Sequence, residues 1–377
     1  MDTLTHSLIG AVSARAASGI RYPLHIMVTA VAAAFPDIDY LLFWLNPYQF
    51  ITEWHRGISH SLVMLPLWAL LLSTLFYLPL RRQISFQGLL LLCSLGLLSH
   101  ILIDWITVFG TQLFAPISNQ RYALGLAFDI DPWISLIVLF TLLNGFKHRV
   151  AAFVSLLLIG AYLGFLYYGQ YLALQTIESK IKKENIEPNK VMVLPEPLAP
   201  WHWKLIIEHD EYYRIASLSL HQQASTWLDS LTSVIISNSR SASHPIEGIG
   251  SSHLQTSFAQ HQTETNLRWK SIYKFGADIK QAEQLKEVWL HPEMLKFRQF
   301  SSLPILYRVD QTAVSSCVWF TDLRYVLPII APPFRYGMCR DNNEKWRLYR
   351  LKRGSHNQRE RITAPQILFS VLKKHSV

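Results

Sequence analysis

The stretch whose reading decides the fold is Phe86–Phe109, FQGLLLLCSLGLLSHILIDWITVF. It is apolar almost throughout and reaches the roughly 20 residues that a helix needs to cross a bilayer. The run is broken only near its end, by His100 and Asp104. Their i, i+4 spacing puts both side chains on one helix face, one turn apart. Ionisable groups are costly inside an apolar span, so this pair needs partners of its own kind at the same depth.

Working outward, Leu62–Leu80 and Val150–Tyr168 are runs of the same kind, and Pro132–Phe146 is a shorter one. Thr5–Ala17 and Tyr22–Phe35 are weaker segments rich in Ala, Ser and Gly, residues that let helices approach closely. The expectation is an α-helical membrane bundle over residues 1–170 with about six apolar segments, four of them strong spans. The chain is 50% hydrophobic but only 16% charged, too few charges to cover such runs in a soluble bundle. The net charge of +9 comes from Lys and Arg that are scattered rather than gathered into a stripe, which argues against a nucleic-acid partner. The start, MDTLTHSLIG, lacks the basic n-region of a cleaved signal peptide and reads as part of the mature protein.

The short loops set an expected orientation. Arg15 with Arg21, Arg81 with Arg82, and Lys147 with Arg149 fall on one face if all six segments cross. The positive-inside rule makes that face cytoplasmic. The N-terminus, the 36–61 and 105–131 loops and everything after about Gln170 then lie on the opposite side.

Beyond 170 the character changes. Glu178–Lys190 reads as a charged helical connector (171–190), and the spaced prolines of 191–201 enforce an extended path. Trp203–Glu208, Tyr212–Leu220, Trp269–Phe275, Ile305–Val309, Val314–Asp322 and Trp346–Leu351 read as strands, rich in β-branched and aromatic residues. Residues 221–268 read as helix plus a mobile loop, and Val288–Phe300 fits either helix or strand. Residues 191–377 are expected to form a soluble β-rich α+β domain on the non-cytoplasmic side. Of the three cysteines, only Cys317 and Cys339 are placed to pair; Cys93 lies in an apolar run.

The polar residues of the first half collect at one end of the bundle under this topology. They are Asp2, His6, Asp37, Asp39, Glu53, His55, His60, His100, Asp104, Asp129 and Asp131. Imidazole with carboxylate suits Zn²⁺, Mn²⁺ or Fe²⁺, and enough groups are present for one ion or two. Glu53 or Asp131 is the candidate general base, and Arg56, in His55-Arg-Gly-Ile-Ser-His-Ser61, is placed to hold a phosphate or carboxylate. Plainer roles compete: Asp131 before Pro132 matches a helix N-cap, and Asp129 fits a solvated carboxylate.

As a set, Met1-Asp-Thr-Leu-Thr-His6, Phe35-Pro-Asp-Ile-Asp39, His55-Arg-Gly-Ile-Ser-His-Ser61, His100-Ile-Leu-Ile-Asp104 and Gly110-Thr111 through Asp131-Pro132 resemble the YdjM-like membrane-bound, metal-dependent hydrolases. The match covers about 1–170 and keeps the family's motif order. More distantly, the His/Asp pattern is similar to that of zinc-dependent phospholipase C enzymes. The resemblance implies an inner-membrane protein with metal ligands His6, Asp37, Asp39, His60, His100 and Asp104. His55, Arg56 and Asp131 would be nearby support.

Taken together, these features predict a metal-dependent hydrolase at the non-cytoplasmic membrane interface, with zinc the preferred ion. The bilayer and a lipid or lipid-linked phosphoester are the expected partners, with an ester or amide as the other substrate class. A transporter using the His/Asp groups would need polar residues continuing through the bundle, and Ser73, Thr74 and Ser94 do not make such a path. A scaffold with a structural metal would need a closed coordination shell.

Overall fold

The computed structural model describes residues 2–17, 23–143, 149–220, 267–276, 278–312, 314–327, 331–341, 345–352 and 358–363. The chain divides into two units. Unit 1 comprises Met1–Trp44, Trp54–Leu172 and Leu194–Trp201, and unit 2 comprises Leu45–Glu53, Ala173–Val193 and His202–Val377.

Unit 1 is helical: α1 (Thr3–Ala17), α2 (Pro23–Ala34), α3 (Leu65–Leu80), α4 (Phe86–Ile106), α5 (Pro132–Leu143) and α6 (Arg149–Glu184), whose last residues belong to unit 2. A 3₁₀ stretch, Phe35–Trp44, extends α2. Among the described residues, three helical stretches are long and apolar enough to cross a membrane: Pro23–Trp44, Phe86–Ile106 and Arg149–Glu184. The bent pair Pro47–His60 and Leu65–Leu80 makes a fourth if taken as one span. Among the described residues there are thus three or four candidate spans, fewer than the six crossing segments expected. Helix α1 has 15 residues and the described part of α5 has 12, against the roughly 20 that a span requires.

Helix boundaries follow local chemistry. Ser85 caps α4 by accepting from Gly88 N at 3.2 Å, and Asp131 caps α5 ahead of Pro132, accepting from Trp133 N at 2.9 Å. Small residues allow α1, α2 and α4 to pack backbone to backbone. A Cβ on Gly10 would stand 2.5 Å from Ala33 Cβ, and one on Gly96 would stand 2.5 Å from Thr29 O. Around these contacts, Val28, Ala32, Ala69, Leu72, Leu89 and Leu97 build one buried cluster, and Val12, Ile103, Ile134 and Val138 contribute to another.

The second half of the chain carries two antiparallel meanders; Leu194–Trp201, within the first, is counted with unit 1. One is β1 (Lys190–Glu196), β2 (Ala199–Glu208), β3 (Tyr212–Ser219) and β4 (Lys270–Tyr273); the other is β5 (Pro304–Gln311), β6 (Ser315–Asp322), β7 (Tyr336–Asp341), β8 (Arg347–Leu351) and β9 (Arg359–Arg361). The six expected strands correspond to β2, β3, β4, β5, β6 and β8, with several ends differing by one or two residues. β1 falls largely in the stretch whose prolines predict an extended path, while β7 and β9 lie outside the expected strands because YGMCRD and RER are short and largely polar and gain their pairing from neighbours. The ambiguous Val288–Phe300 stretch is helical, covering the end of α7 (Ile279–Leu290) and all of α8 (Leu295–Phe300). The connector is not a separate helix, since α6 runs on to Glu184. The reading of 221–268 falls almost wholly outside the described residues.

Alternation explains the core of unit 2. Trp203, Leu205 and Ile207 on one face of β2 pack with Ala216 and Leu218 of β3 and with Ala173 and Ile177 of α6. Trp203 is buried in this cluster and Trp269 packs against the cluster, so both serve as core anchors. Cys317 and Cys339, paired across β6 and β7, form a disulfide. A buried ion pair closes the end of β6: Arg324 donates to Asp322 from Nε at 3.1 Å and from Nη2 at 2.8 Å, and Ser301 Oγ and Ser302 N also donate to that carboxylate. Leu45–Glu53 folds as a capped turn in which Asn46 accepts from Tyr48 N and Gln49 N. Tyr48 Oη accepts from Phe297 N at 3.0 Å.

A buried histidine and aspartate cluster as candidate metal centre

Four parts of unit 1 bring their polar side chains together. Helix α1 supplies His6, the 3₁₀ stretch supplies Asp37 and Asp39, the turn before α3 supplies His60, and α4 supplies His100 and Asp104. All six side chains are buried.

The tautomers can be read from the hydrogen bonds. His100 Nδ1 lies 2.6 Å from the Ala33 carbonyl, which only accepts, so Nδ1 carries the proton. Ser59 Oγ donates to Asp39 Oδ2 at 3.4 Å and so accepts from His60 Nδ1 at 2.9 Å. Each Nε2 is left with a lone pair, yet the two Nε2 atoms face each other at 3.0 Å. Two lone pairs repel at that distance unless a proton or a metal ion lies between them. Asp104 Oδ2 stands 3.2 Å from His100 Nε2 and 3.3 Å from His60 Nε2, and Asp37 Oδ1 stands 3.7 and 3.6 Å from the same atoms. Ligands about 2.0–2.1 Å from a tetrahedral zinc are separated by about 3.3 Å, so these spacings suit such an ion.

His6 strengthens the fit. Its ring stacks on His100 at 3.7 Å and is fully enclosed, and neither ring nitrogen makes a hydrogen bond. Nε2 does approach Asp104 Oδ1 to 3.2 Å, within ion-pair distance but without hydrogen-bond geometry. A buried imidazole left this way calls for an electrophile. Two groups have ligand atoms within 4.8 Å of one another: His6, His100 and Asp104, and Asp37, His60 and His100. Their nitrogen and carboxylate chemistry fits Zn²⁺, Mn²⁺ or Fe²⁺.

Asp39, the sixth expected ligand, faces the rear of the cluster. It accepts from Arg56 N at 3.1 Å, lies 3.3 Å from His55 Nδ1, and meets His60 through Nδ1 at 3.6 Å. Arg56 is buried and engaged: Nη2 pairs with Asp104 Oδ1 at 3.1 Å, and Nη1 donates to Thr107 Oγ1 at 2.5 Å and reaches Asp129 Oδ1 at 3.5 Å. Its backbone φ of 54° lies in the left-handed region, which a non-glycine residue enters at a cost. Asp129 accepts from Phe109 N at 3.1 Å, so it is bound where sequence reading left it solvated. Asp131 takes the capping role: Oδ1 holds the start of α5, and Oδ2 accepts from Tyr162 Oη at 2.8 Å. Burial pushes its carboxyl above the usual range. Glu53 is counted with unit 2, where Lys296 Nζ pairs with it at 2.8 Å.

Thr3 and Thr107 escaped the sequence reading. Thr3 Oγ1 donates to Asp37 Oδ2 at 2.6 Å, and Thr107 ties Arg56 to the end of α4. Hydroxyls are too common for such roles to stand out in sequence, although Thr3 sits inside the MDTLTH motif.

Long apolar helices enclosing a buried cluster of histidines and aspartates mark unit 1 as a membrane domain with residues that could hold a metal ion. Residues 1–173 match the family described as YdjM inner membrane protein. The chain is also similar to "Uncharacterized protein YfhP" of Bacillus subtilis (strain 168), with 32% identity over 109 residues, 29% of this chain. The matched stretch is 33% of that protein's length. No solved structure matches the chain.

Proposed function

We propose that the protein is a membrane-bound, metal-dependent hydrolase acting at the non-cytoplasmic interface on a lipid or lipid-linked phosphoester. The observation that carries this reading is the facing pair of His60 and His100 Nε2 lone pairs, flanked by Asp37 and Asp104. His60, His100, Asp37 and Asp104 would hold one ion, with His6 completing the set. A zinc-class ion, when bound, supplies Lewis-acid polarisation of a phosphoryl oxygen and acidifies water.

The chain's own residues set the geometry. The Ala33 carbonyl and the Ser59–Asp39 pair fix both imidazoles in the ligating tautomer. Arg56 engages Asp104 Oδ1 and so turns Oδ2 toward the two histidines. In this reading Arg56 supports the ligands rather than the substrate, and Glu53 and Asp131 are each committed to other partners. The Cys317–Cys339 disulfide supports an oxidising, non-cytoplasmic location for unit 2.

The experiment is metal analysis of the purified protein beside its His60→Ala/His100→Ala variant, followed by assay of metal-loaded protein on lipid phosphoesters in detergent. The wild type should carry about one zinc-class ion per chain and the double variant almost none. Equal metal in both proteins would refute the site. Stoichiometric metal without hydrolysis of any phosphoester would refute the activity.

A further inference from the structure

Outside the cluster, the loop between α4 and α5 holds an apolar tip, Phe114-Ala-Pro-Ile117, at which Phe114 is 43% and Ile117 79% exposed. The tip is held firmly. Ser61 Oγ, one residue beyond His60, donates to Ala115 O at 2.6 Å and lies 3.1 Å from Leu113 O, and Leu62 N donates to Leu113 O at 2.9 Å. On the cluster side of the loop, Gln112 N donates to Arg56 O at 2.9 Å. A loop pinned this tightly could have buried its large side chains inward, but Phe114 and Ile117 point out. Polar Ser118, Asn119 and Gln120 follow at once.

Chain continuity with an exposed apolar helix face indicates what covers the tip. Leu62 leads directly into α3, whose outer side presents Leu67, Leu70 and Leu71, and Val63 bridges the two. We infer that the Phe114–Ile117 tip is a membrane-immersed wedge that packs against lipid acyl chains beside the His60 turn. It sets the depth at which lipid headgroups meet that turn. The inference goes beyond the hydrolase reading and does not need it.

The test attaches an environment-sensitive fluorophore to Ile117→Cys in the full chain, reconstituted in phosphatidylcholine vesicles with or without bromine on the acyl chains. Cys93 is buried and Cys317 is bonded to Cys339, so unsubstituted protein controls for stray labelling. The probe should emit as in an apolar medium and lose about half its intensity to brominated lipid, as for a group sunk roughly 5–10 Å into the interface. Asn119→Cys, labelled likewise, should emit as in water. Water-like emission from position 117 would overturn the wedge. So would a shielded probe that brominated lipid does not quench, which would mean that protein, such as a second copy of the chain, covers the tip. The readout needs no hydrolysis, so it succeeds or fails separately from the proposed activity.

Discussion

The orientation of each imidazole decides what the cluster can do. His60 and His100 donate through Nδ1 and present Nε2, and the groups that enforce this are a backbone carbonyl and the Ser59–Asp39 pair. Asp39 is thus placed to orient a ligand rather than to be one. Asp39→Asn should weaken zinc affinity about 10–100-fold, the usual effect of losing an outer partner, while stoichiometry at saturating zinc is kept. Competition titration with a chromophoric chelator gives the answer. Loss of stoichiometric binding would make Asp39 a direct ligand, and unchanged affinity would leave it no part in the site.

Among the elements, the close approach of α2 and α4 matters most, because it places Ala33 O against His100. Gly96 permits that approach: a Cβ there would also stand 2.9 Å from Ala32 Cβ, in addition to the contact with Thr29 O. Backbone cannot yield as a flexible side chain can, so overpacking here should cost about 1–3 kcal/mol. Gly96→Leu should lower the thermal midpoint in detergent, and it should also reduce zinc binding, since separating the helices withdraws Ala33 O from His100 Nδ1. A midpoint equal to wild type would show that the helices are not held at this distance. The apolar runs were legible in sequence because hydrophobicity over about 20 residues is a local property. The number of spans was not, because a helix's length depends on where it stops, and α1 stops after 15 residues.

At the scale of the whole molecule, the two units are stabilised by different means. Unit 1 relies on apolar packing around a polar cluster, whereas unit 2 adds a disulfide and the buried Asp322–Arg324 pair. Burial alone would raise the Asp322 carboxyl, but Arg324 outweighs it and the net shift is downward. A carboxyl lowered in the folded state stabilises above its unfolded value of about 3.9, and that contribution fades as pH falls through the folded value. Unit 2 should therefore lose stability as pH drops below about 4. Asp322→Asn should cost about 3–5 kcal/mol at neutral pH, by leaving Arg324 buried without its counter-charge, and should flatten the acid dependence. Thermal melts between neutral and acid pH check both, and an unchanged acid slope would exclude Asp322 as its source.

By itself, the sequence determined the membrane helices, the β-rich second half and the residue types of the cluster. Each rests on local pattern: long apolar runs, alternation in strands, and histidine or aspartate placed at the ends of spans. Only the tertiary structure decided which groups meet. It held Asp39 to Arg56 N, tied Arg56 to Asp104, committed Asp131 to a helix cap and grouped Glu53 with Lys296. It also paired YGMCRD with its neighbours to bring Cys339 to Cys317. The physical reason is that a side chain's partner depends on direction and distance across elements far apart in the chain, and linear spacing fixes neither.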